Sequence, residues 1–129
     1  MSGFIDISQL KTPPEKHELE TANYFAALGK NVIFIRPSSI PNQHRPDIIM
    51  DGVEWEMKAP TGNGKRNIEY NFRKAISQSK NIIFDLRHAK IPEQLCISQL
   101  EKEFFKRPYL SKLYIIKKSG KLLMYPKSN

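Results

Sequence analysis

Three residues near the middle of this chain have types and spacing that suit phosphate chemistry: Asp47, Glu56 and Lys58. Two carboxylates brought side by side repel each other unless a cation lies between them or one of them holds a proton. Mg²⁺ is typically held by one or two carboxylates together with water and phosphate oxygens. An ammonium group beside such an ion neutralises charge that develops on a reacting phosphate. If the fold brings these side chains together, they predict metal-assisted attack on a phosphate.

The Asp51-Gly52 pair predicts the hairpin that would bring them together. Asp-Gly between two strand-like runs favours a type I′ turn, which needs positive φ at both central positions. Counting outward from the turn gives a register that includes three pairs: Ile48 with Trp55, Asp47 with Glu56, and Arg45 with Lys58. Because side chains alternate along a strand, one face of this hairpin is predicted to be apolar and the other charged.

Composition narrows the class of protein and of partner. The 129 residues are 40% hydrophobic and 26% charged, which is ordinary for one folded domain. The 21 Lys and Arg against 13 Asp and Glu leave a net charge of +8, which favours a polyanion, with nucleic acid ahead of membrane. Cys96 is the only cysteine, so an intramolecular disulfide and a cysteine-based zinc site are excluded.

The remaining pattern predicts an α/β (α+β) domain with a mixed sheet flanked by helices, spanning residues 13–129 after an irregular lead-in at 1–12. Apolar stripes at helical spacing and apolar runs bounded by Gly, Pro and Asn mark the elements. Helices are predicted over 15–30, 67–80 and 92–107, and strands over 31–36, 81–86, 112–117 and 121–125. The strand at 81–86 is expected beside the second hairpin strand, reached through a helical crossover.

Several polar residues near the hairpin are candidates for contact with a polyanion. Lys65 and Arg66 follow two glycines in a predicted flexible loop, where the backbone can approach a ligand closely. Arg73 and Gln78 lie on the helix after the second hairpin strand, a position that commonly runs along a cleft. His44 lies in the polar loop before the hairpin. We predict these five residues as nucleic-acid contacts.

The order Pro46-Asp47 and then Glu56-Met57-Lys58 resembles the PD-(D/E)xK nuclease signature. The surrounding sequence narrows the resemblance through an early Glu20, a Gly29, and the segments HRPDI, DGVEWEMK and QSKNIIFDL. From Pro14 to Leu123 the chain resembles the tRNA nuclease domain at the C-terminal end of CdiA-type contact-dependent inhibition toxins. Similar modules occur at the ends of phage minor head proteins.

The resemblance implies a role for each site residue. Asp47 and Glu56 would bind the metal, Lys58 would serve as the catalytic ammonium, and an acid on the first helix would complete the site. Glu20 matches that acid by position, with Glu15 and Glu18 as alternatives. The ion is expected to be Mg²⁺, with Mn²⁺ or Zn²⁺ as alternatives. One ion is expected, because Arg45 stands where a second acid would precede Asp47.

The resemblance also implies a biological setting. The expected activity is cleavage of tRNA in the cytoplasm of a neighbouring cell after delivery by a larger parent protein, with an acidic immunity protein as partner. Three alternatives remain open from the sequence. They are a DNA endonuclease of the same superfamily, a non-catalytic nucleic-acid-binding or phage structural module, and a metal-independent ribonuclease that uses His17, His44 or His88.

Overall fold

Seven strands form one mixed sheet in the computed structural model, which describes residues 2–64 and 66–127. In chain order the elements are β1 Ile5–Asp6, α1 Lys16–Ala27, β2 Val32–Phe34, β3 Ile48–Met50, β4 Val53–Lys58, α2 Asn67–Ile76, β5 Asn81–Asp85, α3 Glu93–Phe105, β6 Lys112–Ile116 and β7 Leu122–Tyr125. The strands follow one another across the sheet in sequence order. This arrangement confirms the predicted α/β (α+β) class. Within the described residues, no helix has the length and apolarity that a bilayer crossing needs.

The β3–β4 hairpin has the predicted turn and register. Asp51 and Gly52 have φ of 54° and 77°, the left-handed values that a type I′ turn requires. The strands pair Met50 with Val53, Ile49 with Glu54, and Ile48 with Trp55. The turn chemistry therefore sets which residues of β3 and β4 face each other.

The ladder between these strands stops at Ile48, which corrects the outer part of the predicted register. The Asp47 backbone N–H donates to the Trp55 carbonyl at 3.0 Å, and its carbonyl accepts from the N–H of Ile35 at 2.9 Å. The predicted pairs of Asp47 with Glu56 and of Arg45 with Lys58 are consequently not ladder pairs. At Asp47 the chain bonds to both neighbouring strands, and β4 continues beyond its partner, so the sheet opens at this end.

Helices cover both faces of the sheet. Ala22 and Phe25 of α1 pack with Trp55 and Met57 in one apolar cluster. On the other face, α2 and α3 pack with Ile82 and Phe84 of β5 in a second cluster. Because Glu56 lies opposite Ile82 in the parallel β4–β5 pair, it points towards α2. The charged face of β4 is thus covered at Glu56, which is only 3% exposed, whereas Glu54 near the turn remains exposed. The pattern alone predicted one buried and one solvated face for the hairpin, and the structure does not have that arrangement.

Two element boundaries differ from the sequence-based prediction in ways that matter for the site. Ile5 and Asp6 pair in parallel with β2, so the segment predicted as an irregular lead-in supplies the edge strand β1. Helix α2 ends at Ile76 instead of continuing to Lys80. The Gln78 side chain therefore projects from the segment that joins α2 to β5. As predicted, β4 and β5 are parallel neighbours joined by a helix, and β6 and β7 form a second hairpin.

Candidate active site

Asp47 is held against β4 by a backbone hydrogen bond. The Met57 N–H donates to Asp47 Oδ2 at 2.9 Å. Met57 lies between Glu56 and Lys58 in the sequence, so this bond anchors the first acid beside the other two residues of interest. Asp47 is half-buried at the point where β3 and β4 separate.

Glu56 has two polar neighbours besides Asp47. The Gln78 carboxamide nitrogen, in the orientation that satisfies its contacts, donates to the two Glu56 carboxylate oxygens at 2.5 and 2.8 Å. The Lys58 Nζ lies 3.4 Å from Glu56 Oε2, and both side chains are largely shielded from solvent. Asp47, Glu56, Lys58 and Gln78 therefore form one cluster, called here the carboxylate cluster.

The electrostatics of the cluster favour a proton on Glu56. Burial raises the pKa of the Glu56 carboxyl to about 8, and the negative charge and hydrogen-bonding carboxyl of Asp47 act in the same direction. The Lys58 ammonium opposes this increase without cancelling it. A cation between the two carboxylates would relieve the same repulsion that the proton relieves.

The carboxylate cluster opens into a cavity of about 220 Å³. Its lining includes Asp47, Glu56 and Lys58 together with His17, Glu18 and Asn71. A larger groove of about 610 Å³ shares Glu18 and Asp47 with this cavity and extends along the 37–46 loop. A chain-like ligand can therefore reach the carboxylates from the surface.

The first helix contributes Glu18 to the cavity and not Glu20. Burial, and after it the charge of Asp47, raises the pKa of Glu18, which places its carboxyl within the field of the cluster. Glu20 points elsewhere: its Oε2 lies 2.9 Å from His88 Nε2, and it lines a separate cavity with Arg87. The structure thus does not bring Glu20 to the site. Glu18, named as an alternative, occupies the position that was expected for Glu20.

The predicted nucleic-acid contacts are distributed unevenly. His44 and Gln78 line the larger groove. Arg66 precedes the first residue of α2, and Arg73 forms an exposed ion pair with Glu69 at 2.6 Å. Lys65 lies outside the described residues.

Two polar lining residues, Asn71 and His17, were not predicted as part of the carboxylate site. Asn71 lies on α2, one turn after Asn67, and the Asn71 side chain donates to the Asn67 carbonyl at 2.9 Å. His17 lies in the first turn of α1. A signal for Asn71 existed, because it neighbours Phe72 on the buried stripe of α2. His17 was named from the sequence only for the metal-independent alternative, and nothing in the sequence linked it to Asp47 and Glu56.

The donor set of the cluster fits a hard divalent ion bound by two carboxylates. Asp47 and Glu56 supply oxygen ligands, and water with phosphate oxygens would complete the shell. Among residues 2–64 and 66–127, no three His, Cys, Asp or Glu side chains group as a metal site by themselves. The observed set therefore suits Mg²⁺ or Mn²⁺ bound together with a phosphate substrate better than a preformed, all-protein site.

Comparison with known proteins gave one family and one solved structure. The family model described as "Contact-dependent growth inhibition CdiA C-terminal domain" matches residues 44–122, which include all four residues of the carboxylate cluster. The chain is also similar to a solved structure described as "CdiA-CT/CdiI toxin and immunity complex from Burkholderia pseudomallei". That match has a TM-score of 0.67 and 22% identity, and covers 95% of this chain and 98% of the other. None of the curated proteins matches the chain.

Proposed function

We propose that this chain, which belongs to the family of contact-dependent growth inhibition CdiA C-terminal domains and is the toxin module of such a system, acts as a metal-dependent ribonuclease that cleaves tRNA phosphodiester bonds. The observation that carries this proposal is the carboxylate cluster. It holds two acids, one of them with its pKa raised to about 8, beside an ammonium group in a cavity open to a groove.

Asp47 and Glu56 would hold the divalent ion. When bound, such an ion lowers the pKa of a water molecule and stabilises negative charge on a phosphate. Each acid is already positioned by a donor from this chain: the Met57 N–H fixes Asp47, and the Gln78 carboxamide fixes Glu56. Preorganised ligands lower the reorganisation that catalysis requires.

Lys58 is the residue suited to the reacting phosphate. Its ammonium lies 3.4 Å from Glu56, and its side chain is 19% exposed, so water competes weakly for its charge. A cation in such a site stabilises the additional negative charge that a phosphate acquires as its bond to a nucleophile forms. Lys58 would also orient the attacking water by donating a hydrogen bond to its oxygen, since an ammonium group has donors and no acceptor.

The net charge of +8 supports a polyanionic substrate, and the resemblance to the tRNA nuclease domain of CdiA-type toxins supports tRNA as that substrate. We further propose an acidic immunity protein as partner, since the similar solved structure is described as a toxin and immunity complex. Charge complementarity with a basic toxin would accelerate their association. The module would act in the cytoplasm of the target cell, where tRNA is found.

A tRNA cleavage assay with matched variants tests the proposal. Asp47→Asn retains an oxygen that can accept from the Met57 N–H, and Lys58→Met retains much of the side-chain volume, so both variants should fold. Each is expected to lose at least about 100-fold in rate, comparable to the loss of one preorganised electrostatic contact. Glu54→Gln on the same strand is the control, because Glu54 is exposed and outside the cavity.

Chelator should abolish cleavage by the wild type, and Mg²⁺ or Mn²⁺ should restore it. Duplex DNA incubated under the same conditions separates a ribonuclease from a DNA endonuclease. Full activity in both site variants would contradict the assignment of the site, and cleavage that persists in chelator would contradict the metal.

A further inference from the structure

A second concave surface adjoins the groove and is lined by cations. This space of about 520 Å³ has Lys11, Arg36 and Arg45 in its lining, with the hydroxyl-bearing Thr12 and Ser39. All three cationic residues are exposed. No Asp or Glu occurs among the described residues that line it. We call this surface the cationic pocket.

The charges of the cationic pocket are not neutralised by described carboxylates. The Arg36 Nε donates to the Gln9 carbonyl at 3.4 Å, and Arg45 Nη1 donates to the Arg36 carbonyl at 3.5 Å. These are long contacts to neutral backbone oxygens. Within 2–64 and 66–127, none of the three cations forms an ion pair. Like charges lining one concave surface raise its positive potential and favour an anionic ligand.

The cationic pocket and the carboxylate cluster open onto the same groove. Leu10, Thr12, Pro37 and Arg45 line both the cationic pocket and the larger groove, and Asp47 lies in that groove. A ligand that follows the groove away from Asp47 therefore reaches the cations. This continuity matters because the Asp47 carboxylate repels a polyanion and a protonated Glu56 does not attract one, so cations outside the cluster must supply much of the binding energy.

We propose that Lys11, Arg36 and Arg45 form a phosphate-binding subsite that holds the RNA backbone beside the cleaved bond. The inference rests on the proposed ribonuclease function for the identity of the ligand. Guanidinium groups suit this role because their planar donors match phosphate oxygens. The subsite positions the backbone through its charge and does not read the sequence of bases.

Binding of fluorescently labelled total tRNA, measured by anisotropy in chelator, tests the subsite. The Asp47→Asn background prevents loss of the probe by cleavage. In that background the triple variant Lys11→Gln/Arg36→Gln/Arg45→Gln is expected to bind at least tenfold more weakly. Its slope of log affinity against log salt should fall by about 2, since each phosphate contact contributes about 0.7 to 0.9.

Two controls separate a local contact from net charge and from fold. Lys102→Gln/Lys121→Gln/Lys127→Gln removes the same charge from residues outside the groove and the cationic pocket, and should leave most of the affinity. The variant Arg36→Lys/Arg45→Lys keeps both charges and should lose less affinity than the first glutamine triple, because a lysine still contacts phosphate as a point charge but lacks the planar donors of arginine.

Equal losses in the two glutamine triples would overturn the subsite, as would unchanged binding in the first. A loss of affinity for polyglutamate that matches the loss for tRNA would also overturn it, by assigning the surface to acidic protein. Failure of the proposed function looks different: the wild type would cleave no RNA, while the binding difference between the two triples persisted.

Discussion

Replacing Glu56 by glutamine should stabilise the protein at alkaline pH. The Glu56 pKa is raised to about 8 in the folded protein, from an ordinary value of 4.5. Between these two values the folded state retains a proton that the unfolded chain has lost. The free energy of unfolding therefore falls as pH rises, at up to about 1.4 kcal/mol per pH unit, and levels off above pH 8. Glutamine has no proton to lose, so the variant should not share this decline.

The size of this stability change follows from the width of the pH window between the unfolded and folded pKa values of Glu56. Complete titration across it corresponds to an upper limit of about 5 kcal/mol. Between pH 5 and 8 we expect up to about 4 kcal/mol of this loss, because the part of the window below pH 5 is not sampled. Urea unfolding in chelator at pH 5 to 9 would measure the effect as the difference between wild type and Glu56→Gln. Glu54→Gln is the control, and its difference from wild type should stay nearly constant over this range.

Metal ions extend the same experiment. A cation bound by Asp47 and Glu56 stabilises only the folded state, by about 2.7 kcal/mol at 100 times its dissociation constant. At pH 8, Mg²⁺ or Mn²⁺ should therefore raise the stability of the wild type and leave Glu56→Gln nearly unchanged. A stability difference independent of pH, together with an equal response of both proteins to metal, would refute the reasoning about this pair.

Three further predictions concern residues around the site. Glu18→Gln should reduce tRNA cleavage while Glu20→Gln leaves the rate per folded molecule unchanged, and the reverse order in a cleavage assay would contradict the geometry. Arg87→Ala should lower the free energy of unfolding by about 3–5 kcal/mol, because it leaves the buried Asp85 carboxylate without the guanidinium at 2.7 Å. A loss below about 1 kcal/mol, measured by urea unfolding, would count against this prediction. Gly52→Ala should cost about 1–2 kcal/mol of stability, because φ there is 77°, and an unchanged melting temperature would argue against the turn.

Local features of the chain determined the central hairpin. The Asp51-Gly52 turn depends on φ preferences of two adjacent residues, and the register follows from counting outward from it. These relations involve only near neighbours, so they can be predicted from the sequence. The same holds for the order of helices and strands, because apolar periodicity is a property of each segment.

The composition of the candidate site depended on packing between distant segments. Glu18 and Glu20 lie roughly 200° apart around α1, and only Glu18 is in line with the buried Ala22 and Phe25, at i+4 and i+7. Helical spacing therefore favours Glu18 as the acid on the inner side of α1, and the placement of α1 against the sheet brings that inner side to Asp47. The contact of Gln78 with Glu56 likewise depends on where α2 ends and how the chain returns to β5.

The sequence by itself determined the turn, the register beside it and the presence of two acids and an ammonium on neighbouring positions. The tertiary structure alone decided that α2 covers Glu56, that Gln78 reaches the Glu56 carboxylate, and that Lys11 meets Arg36 and Arg45 in one pocket. The physical reason is the range of the interactions. Turn and strand preferences act between adjacent residues, whereas burial and charge proximity arise only when separate elements pack together.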